Sequence, residues 1–208
     1  IPPLDYERVY QLKKDFPQLP PVQMHLHKHI PMGAGLGGGS SDGSTALVVF
    51  NTLFSLGLST AQLMDYASQL GSDCPFFILN KACHATGRGE LLSPIPLDLS
   101  AYQFVLVHPG KHISTAWAFQ QLTPHTKPES IQSIISKPIG EWKNLLINDF
   151  EKPVSKAYPV IATIKQQLYD AGAVYASMTG SGSTVFGLFK KDQQIHLTFN
   201  SHYLFTLV

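Results

Sequence analysis

A glycine-rich stretch is the part of the sequence whose residue types point most directly to chemistry. Five of the seven residues from Gly33 to Gly39 are glycine, which lets the backbone wrap closely around a ligand and adopt positive φ. Ser40 and Ser41 follow, and apolar residues at helical spacing come next, so the N-terminus of a helix and its dipole face the same space. These features favour a bound polyphosphate, and the serine hydroxyls can contact phosphate or help to ligate Mg²⁺.

Two other phosphate-binding motifs and a flexible turn are the alternatives for this loop. It has no Gly-Lys-Ser/Thr, which a Walker A loop requires, and no acidic residue after a second strand, which a Rossmann fingerprint requires. A flexible glycine linker stays open as an alternative, although linkers are not normally held between an amphipathic strand and an apolar helix. A different phosphate-binding family is therefore predicted.

Two charged residues near the loop have positions that suggest a role. Asp73 follows a helix stop and precedes the apolar residues 74–77, where removal from water would suit a general base. A capping or turn role is the more common one for such an aspartate taken alone. Lys28 shares a strand face with apolar residues, so its ammonium must reach solvent or an anion.

Histidine and cysteine provide no clear metal site. His25, His27 and His29 lie on one strand face at two-residue spacing, which could present zinc ligands, but the sequence offers no further ligand and a solvated face is favoured. Cys74 and Cys83 are too few for a disulfide scaffold and form no CxxC pair, so two buried free thiols are expected. The sequence assigns no metal ligands.

The elements that must position these residues follow from hydrophobic spacing and capping signals. Predicted helices cover residues 6–15, the segment after the loop with Ala46, Val49, Phe50 and Leu53 on one face, the segment from a Ser59/Gln62 capping box to Gly71, and stretches near 115–122 and 158–171. Predicted strands cover residues 22–30, 103–107, 174–178, 184–189 and 203–207, with a glycine turn at 179–182. Strands and helices mixed without strict alternation predict an α+β fold. A change of pattern around Pro94 and Pro96 divides it into domains at residues 1–98 and 99–208.

The composition excludes several classes of partner. Of the 208 residues, 44% are hydrophobic and 14% are charged, and 15 basic residues nearly balance 14 acidic ones. This leaves no electrostatic basis for binding nucleic acid or an acidic membrane surface, and no apolar run approaches the roughly 18 residues of a membrane span. We therefore expect a soluble, cytoplasmic globular protein, with its oligomeric state undetermined.

Five ordered blocks between about residues 22 and 189 resemble the GHMP kinases. The segment Pro31–Asp42 is similar to their Pro-x-x-x-Gly-Leu-Gly-Ser-Ser signature. Its extra glycines and trailing Ser-Ser-Asp resemble those of one family in particular, the 4-diphosphocytidyl-2-C-methyl-D-erythritol kinases. The other blocks similar to that family are Gly71–Phe77, Ala85–Glu90, Asn148–Glu151 and Met178–Gly187.

The resemblance implies a fold, a reaction and a set of site residues. The fold is the two-domain GHMP kinase fold, with a ribosomal-protein-S5-like N-terminal domain and a ferredoxin-like α/β-plait C-terminal domain. The reaction is the ATP-dependent phosphorylation of a small-molecule substrate, with Mg²⁺. The group that is phosphorylated is the 2-hydroxyl of 4-diphosphocytidyl-2-C-methyl-D-erythritol, in non-mevalonate isoprenoid biosynthesis. The implied base is Asp73. The implied ATP-binding residues are Lys28, Pro31, Met32, Gly33, Ala34, Gly35, Leu36, Gly37, Gly38, Gly39, Ser40 and Ser41.

The resemblance also implies substrate or cleft residues, namely Thr115, Gly180, Ser181 and Gly182. In the family, the glycine turn at residues 180–182 packs beside the phosphate-binding loop. A helix N-cap is an equally good explanation for Thr115, and an ordinary hairpin is the alternative for the turn.

Two motifs of the family are missing from this sequence. The family opens with a strand Lys-Ile-Asn-Leu-Phe-Leu, whose lysine works with the aspartate, and continues with an Asp-Gly-Tyr-His segment that helps to hold the cytidine. The sequence has neither and begins with Ile1, so we expect further residues upstream. Two alternative functions stay open: another GHMP kinase acting on mevalonate, homoserine or a sugar, and a nucleotide-binding GHMP protein without catalysis.

Overall fold

The computed structural model of the protein describes residues 12–123, 129–199 and 203–207. The chain forms two compact units, Ile1–His29 with Gly37–Pro96, and Ile30–Leu36 with Leu97–Val208. The glycine loop therefore changes unit between Leu36 and Gly37. The domain ranges 1–98 and 99–208 stay a prediction.

The first unit is mainly helical. Its helices are α1 (Leu12–Asp15), α2 (Gly38–Leu53), α3 (Thr60–Leu70) and α4 (Cys74–Leu79), and strand β1 (Cys83–Thr86) pairs antiparallel with β2 (Leu91–Pro94). Helices α1, α2 and α3 supply the largest buried side chains of its core, including Leu12, Leu47, Phe50, Leu63 and Leu70. Removal of these side chains from water is the main force that holds the helices together.

Two helix boundaries of this unit were predicted by local signals. The capping box of α3 is formed in full, because Gln62 N–H donates to Ser59 Oγ at 3.3 Å and Ser59 N–H donates to Gln62 Oε1 at 2.9 Å. Helix α1 ends at Asp15, before Phe16 and Pro17, as expected for a residue that precedes proline. Residues 6–11 of the predicted first helix lie outside the described residues.

The strand predicted for residues 22–30 is wrong, since these residues have no regular secondary structure. A strand needs a neighbour for its backbone N–H and C=O groups, and no described strand pairs with this segment. Only some of the alternating apolar side chains are removed from solvent. Val22 and Met24 pack against the core of the first unit, whereas Leu26 and Ile30 are 50% and 49% exposed.

Helix α2 begins at Gly38, within the glycine run, and buries the predicted face only in part. Phe50 is buried and Ala46 packs against the core, whereas Val49 and Leu53 are 49% and 65% exposed. Ser44 and Leu47 are the other buried residues of the helix. Apolar residues lie on several sides of this helix, so residues three and four apart form more than one candidate stripe.

The second unit is built on a four-stranded antiparallel sheet. Its strands are β3 (Tyr102–His108), β4 (Tyr175–Met178), β5 (Val185–Lys190) and β6 (Leu204–Leu207), in the spatial order β4-β5-β3-β6. Its helices are α5 (Thr115–Gln120), α6 (Ile131–Ile135), α7 (Trp142–Leu145), α8 (Glu151–Ala157) and α9 (Val160–Asp170), with a 3₁₀ turn at Ile139–Glu141. The α+β fold class is thereby confirmed.

Helix α9 carries the core of the second unit, as its spacing predicted. Ile161, Ile164 and Leu168 are at most 1% exposed and belong to the same buried cluster as Val105 and Val107 of β3. Cys74 and Cys83 form no disulfide, as expected, but only Cys74 is buried, whereas Cys83 is half-buried. Among the described residues, none of the helices has the length and apolar character that crossing a membrane requires.

Candidate active site

The segment Ile30–Leu36 includes the first residues of the glycine loop and belongs to the second unit. It docks on the glycine turn between β4 and β5. Thr184 N–H donates to the carbonyl of Ala34 at 3.1 Å, and Thr179 Oγ1 donates to that of Gly35 at 2.9 Å. Gly35 has φ +76°, and a Cβ there would overlap the carbonyl oxygen of Thr179 and lie 2.9 Å from that of Gly182. Only glycine fits at this position, because both the backbone angle and the space exclude a side chain.

The second half of the loop leads into the uncapped N-terminus of α2 in the first unit. Gly37 is the N-cap residue in a left-handed conformation, and no side chain caps the helix. The N–H of Ser41 donates to the carbonyl of Gly37, so the helix N–H groups before it have no acceptor within the helix. Such an end attracts anions through its N–H groups and its dipole.

A pocket of about 210 Å³ lies beside this helix end. It is lined by Gly39, Ser40, Gly43, Leu70, Gly71, Ser72, Asp73 and Cys74. The buried hydroxyl of Ser44 donates to the carbonyl of Cys74 at 2.8 Å, which ties α2 to the start of α4. The pocket therefore brings together an anion-binding helix end and the predicted base, Asp73, within one unit.

Asp73 occupies the N-cap position of α4, but its side chain makes no capping hydrogen bond. Its carboxylate is exposed, so the prediction that the apolar residues after it remove it from water is wrong. The reason is that Cys74 and Pro75 turn into the core while Asp73 stays on the surface. A Cβ on Gly89 would lie 3.2 Å from Asp73 Oδ1, so the turn of the Ala85–Glu90 block lies against this carboxylate.

Lys28 does not point freely to solvent; it pairs with Asp42 of α2. The Nζ of Lys28 donates to Asp42 Oδ2, and the two side chains are 23% and 35% exposed. The pair places an ammonium group beside the first turns of the helix that follows the loop. Sequence reasoning missed Asp42, although its position directly after the two serines was the available signal.

The remaining predicted site residues meet within the second unit. Thr115 Oγ1 and Ser181 Oγ are 3.2 Å apart, within hydrogen-bonding distance. Ser114, rather than Thr115, caps α5, because its side chain accepts the N–H of Trp117. The alternative explanation of Thr115 as the N-cap is therefore wrong, and its hydroxyl faces the glycine turn.

A buried histidine supports the far end of this turn. Ser183 and Thr184 are fully buried, and Ser183 Oγ lies 3.2 Å from Nδ1 of His108. His108 is 8% exposed, and this burial lowers its pKa below the ordinary 6.5. The lowered pKa favours the neutral imidazole, and Nδ1 lies within hydrogen-bonding distance of the hydroxyls of Ser183 and Thr184.

Oxygen atoms at the pocket, rather than histidine or cysteine, are the side-chain groups suited to a metal ion. His25, His27 and His29 are exposed, and within the described ranges no three His, Cys, Asp or Glu side chains form a metal site. Mg²⁺ prefers oxygen ligands and usually retains waters and substrate phosphates. The Ser40 hydroxyl supplies such an oxygen ligand at the pocket, so the residues fit a Mg²⁺ ion that arrives with a polyphosphate.

Comparison with known proteins identifies the family. Residues 6–81 match the family "GHMP kinases N terminal domain" and residues 130–200 match "GHMP kinases C terminal". The chain is 52% identical over 184 residues to 4-diphosphocytidyl-2-C-methyl-D-erythritol kinase of Bacteroides fragilis, covering 88% of this chain and 67% of the relative. It is also 52% identical to the protein of that name from Azobacteroides pseudotrichonymphae, covering 93% of this chain and 73% of the relative.

A solved structure agrees with this assignment. A crystal structure of 4-(cytidine 5'-diphospho)-2C-methyl-D-erythritol kinase superposes with a TM-score of 0.76 at 29% identity, covering 90% of this chain and 69% of the other. The chain thus spans about two thirds of the length of the relatives that it matches. With both GHMP domains matched, the chain belongs to the 4-diphosphocytidyl-2-C-methyl-D-erythritol kinase family of the GHMP kinases.

Proposed function

We propose that the protein transfers the γ-phosphoryl group of ATP to the 2-hydroxyl of 4-diphosphocytidyl-2-C-methyl-D-erythritol, a step of non-mevalonate isoprenoid biosynthesis. The observation that carries the proposal is the pocket in which Ser40, at the uncapped end of α2, and the carboxylate-bearing Asp73 line the same space. Membership of the kinase family supports the assignment of the acceptor alcohol.

The glycine loop and the end of α2 would bind the polyphosphate. The N–H groups of Gly38, Gly39 and Ser40 precede the first intrahelical bond of α2, and so are available to phosphate oxygens. Lys28 would add positive charge, exchanging the carboxylate of Asp42 for a phosphate oxygen. Mg²⁺ held with the nucleotide by the Ser40 hydroxyl would reduce the negative charge that develops on the phosphoryl group.

Asp73 would accept the proton of the alcohol as the hydroxyl attacks. Its carboxylate is exposed and makes no capping hydrogen bond, so no bond to the N-terminus of α4 has to break when it accepts the proton. The contact with the backbone at Gly89 limits the space on one side of the carboxylate. The hydroxyls of Thr115 and Ser181 are proposed to orient the substrate. A cytoplasmic location is likewise a proposal.

Turnover of three alcohols by the full protein tests the proposal. Mg-ATP is supplied with 4-diphosphocytidyl-2-C-methyl-D-erythritol, mevalonate or homoserine, and ADP release and the phosphorylated product are measured. We expect kcat/KM for the first alcohol to exceed the others by about 10⁴-fold, because sites that hydrogen-bond a polar substrate reject analogues that lack its groups. Turnover of mevalonate or homoserine alone would assign a different acceptor, and ATP binding without any turnover would contradict a kinase.

A further inference from the structure

The Asn148–Glu151 block has no role in the site described so far, yet its side chains bind the backbone next to the glycine turn. Asn148 Nδ2 donates to the carbonyl of Met178 at 2.7 Å and to that of Gly180 at 2.8 Å. Its Oδ1 accepts the N–H of Phe150 at 2.9 Å. The main chain at Phe150 therefore orients the side-chain amide of Asn148, and both N–H donors of the amide are used on the backbone at the turn.

Glu151, the first residue of α8, binds the same stretch through its carboxylate. Its Oε1 accepts the N–H of Met178 at 2.6 Å and the hydroxyl of Ser177 at 3.0 Å. Its Oε2 accepts the ammonium of Lys165 at 2.5 Å, and the Glu151 side chain is only 12% exposed. The charge of the carboxylate is thus balanced, which makes its burial tolerable.

These contacts take the place of a neighbouring strand. Strand β4 lies at the edge of the sheet, and the outward N–H and C=O groups of such a strand need other partners. At Met178 the partners are Glu151 for the N–H and Asn148 for the C=O. At Ala176, two residues earlier, the hydroxyl of Tyr169 serves both groups at 3.1 Å.

The backbone that Asn148 and Glu151 bind leads directly to the glycine loop. Thr179 follows Met178, and its hydroxyl donates to the carbonyl of Gly35 at 2.9 Å. The loop also accepts a bond from Thr184 N–H at Ala34. A continuous series of hydrogen bonds within one unit therefore runs from Asn148 and Glu151, through the glycine turn, to the loop.

We propose that Asn148 and Glu151 are positioning residues for ATP: they fix the glycine turn, and through it they hold the loop at Ala34 and Gly35 in the conformation that binds the triphosphate. This inference rests on the proposed function, because it assigns the ligand of the loop as ATP. Neither side chain touches the nucleotide; both act through backbone groups of residues 178–180.

The test uses Asn148→Asp in the full protein, with Tyr169→Phe as a matched control. The aspartate keeps the size of the side chain and the oxygen that accepts Phe150 N–H, but it sets a carboxylate against two carbonyl oxygens. The control removes side-chain bonds from the same edge strand at Ala176, away from the turn. We expect the Kd for Mg-ATP to rise roughly tenfold in Asn148→Asp and to change less than about twofold in Tyr169→Phe, with KM for the alcohol unaffected in Tyr169→Phe.

A second variant and a second measurement separate positioning from loss of folding. Glu151→Met removes the acceptor for Met178 N–H, and we expect it to weaken ATP binding as Asn148→Asp does. Amide hydrogen exchange at Ala34 and Gly35, measured without nucleotide, is expected to accelerate in both variants and not in Tyr169→Phe. Asn148→Asp and Glu151→Met could keep wild-type ATP affinity and wild-type exchange at the loop, while their thermal stability falls as in Tyr169→Phe. That result would overturn the positioning role and leave the proposed function standing. A wild-type protein that binds no ATP overturns the proposed function together with it.

Discussion

Replacing Gly35 with alanine probes the contact between the phosphate loop and the glycine turn. Gly35 has φ +76°, and Gly57 in another loop has φ +71°, so alanine meets similar backbone strain at both. A Cβ on Gly57 would have no atom within 4 Å, whereas one on Gly35 would overlap the Thr179 carbonyl oxygen. The pair of variants therefore separates strain from collision with the turn.

The expected magnitudes follow from these contacts. Alanine at positive φ costs about 1–2 kcal/mol of stability, and this is the whole effect expected for Gly57→Ala. In Gly35→Ala the loop must also withdraw from the turn, which breaks the hydrogen bonds at Ala34 and Gly35. Each bond contributes about 1 kcal/mol net, so the free energy of unfolding is expected to fall by about 3–4 kcal/mol in total.

Urea and thermal unfolding measure the loss of stability, and titration with Mg-ATP measures the loss of affinity. A difference of about 2 kcal/mol between the variants corresponds to a Tm difference of about 4–8 °C for a protein of this size. We also expect Gly35→Ala to bind Mg-ATP at least tenfold more weakly (about 1.4 kcal/mol) and Gly57→Ala to bind it normally. Equal stabilities and equal ATP affinities for the two variants would refute the docking of the loop on the turn.

Two further predictions concern Lys28 and His108. Lys28→Met is expected to raise the Kd for Mg-ATP about tenfold and to lower stability without nucleotide by no more than about 1 kcal/mol. Isothermal titration measures this Kd, with Lys81→Met as the exposed-lysine control. Equal Kd values for the two variants would contradict the prediction. Because burial lowers the pKa of His108 below 6.5, the unfolded chain takes up this proton first, so stability is full above that pH and declines as the pH falls below it. Urea midpoints between about pH 5 and 8 should show a smaller decline in His108→Gln than in the wild type, and identical slopes would argue against this role.

Elements with strong local signals were predictable from the sequence. The capping box at Ser59, the buried stripe of α9 and the pair of strands around residues 179–182 all formed as expected. In each case the local pattern and the long-range packing favour the same structure. The glycine loop was identifiable for a similar reason, since its composition reflects positive φ angles and close backbone contacts that only glycine allows.

Features that depend on tertiary partners were not predictable in this way. The alternation of residues 22–30 suggested a strand, but no described strand pairs with them. The buried face of α2 could not be chosen because apolar residues lie on several of its sides. The roles of Asp42 and Asn148 depend on residues 14 and about 30 positions away, and a single sequence does not reveal such pairs.

The rate of phosphoryl transfer in Asp73→Asn tests the central claim most directly. Transfer from ATP to 4-diphosphocytidyl-2-C-methyl-D-erythritol is measured together with the Kd for Mg-ATP, and Asp98→Asn serves as control because Asp98 is an exposed turn carboxylate that accepts Ser100 N–H. We expect Asp73→Asn to lower kcat by about 10²-fold or more, with ATP affinity within about twofold of wild type, and Asp98→Asn to leave both unchanged. A kcat in Asp73→Asn close to that of the wild type would contradict the assignment of Asp73 as the base and of its pocket as the site of transfer.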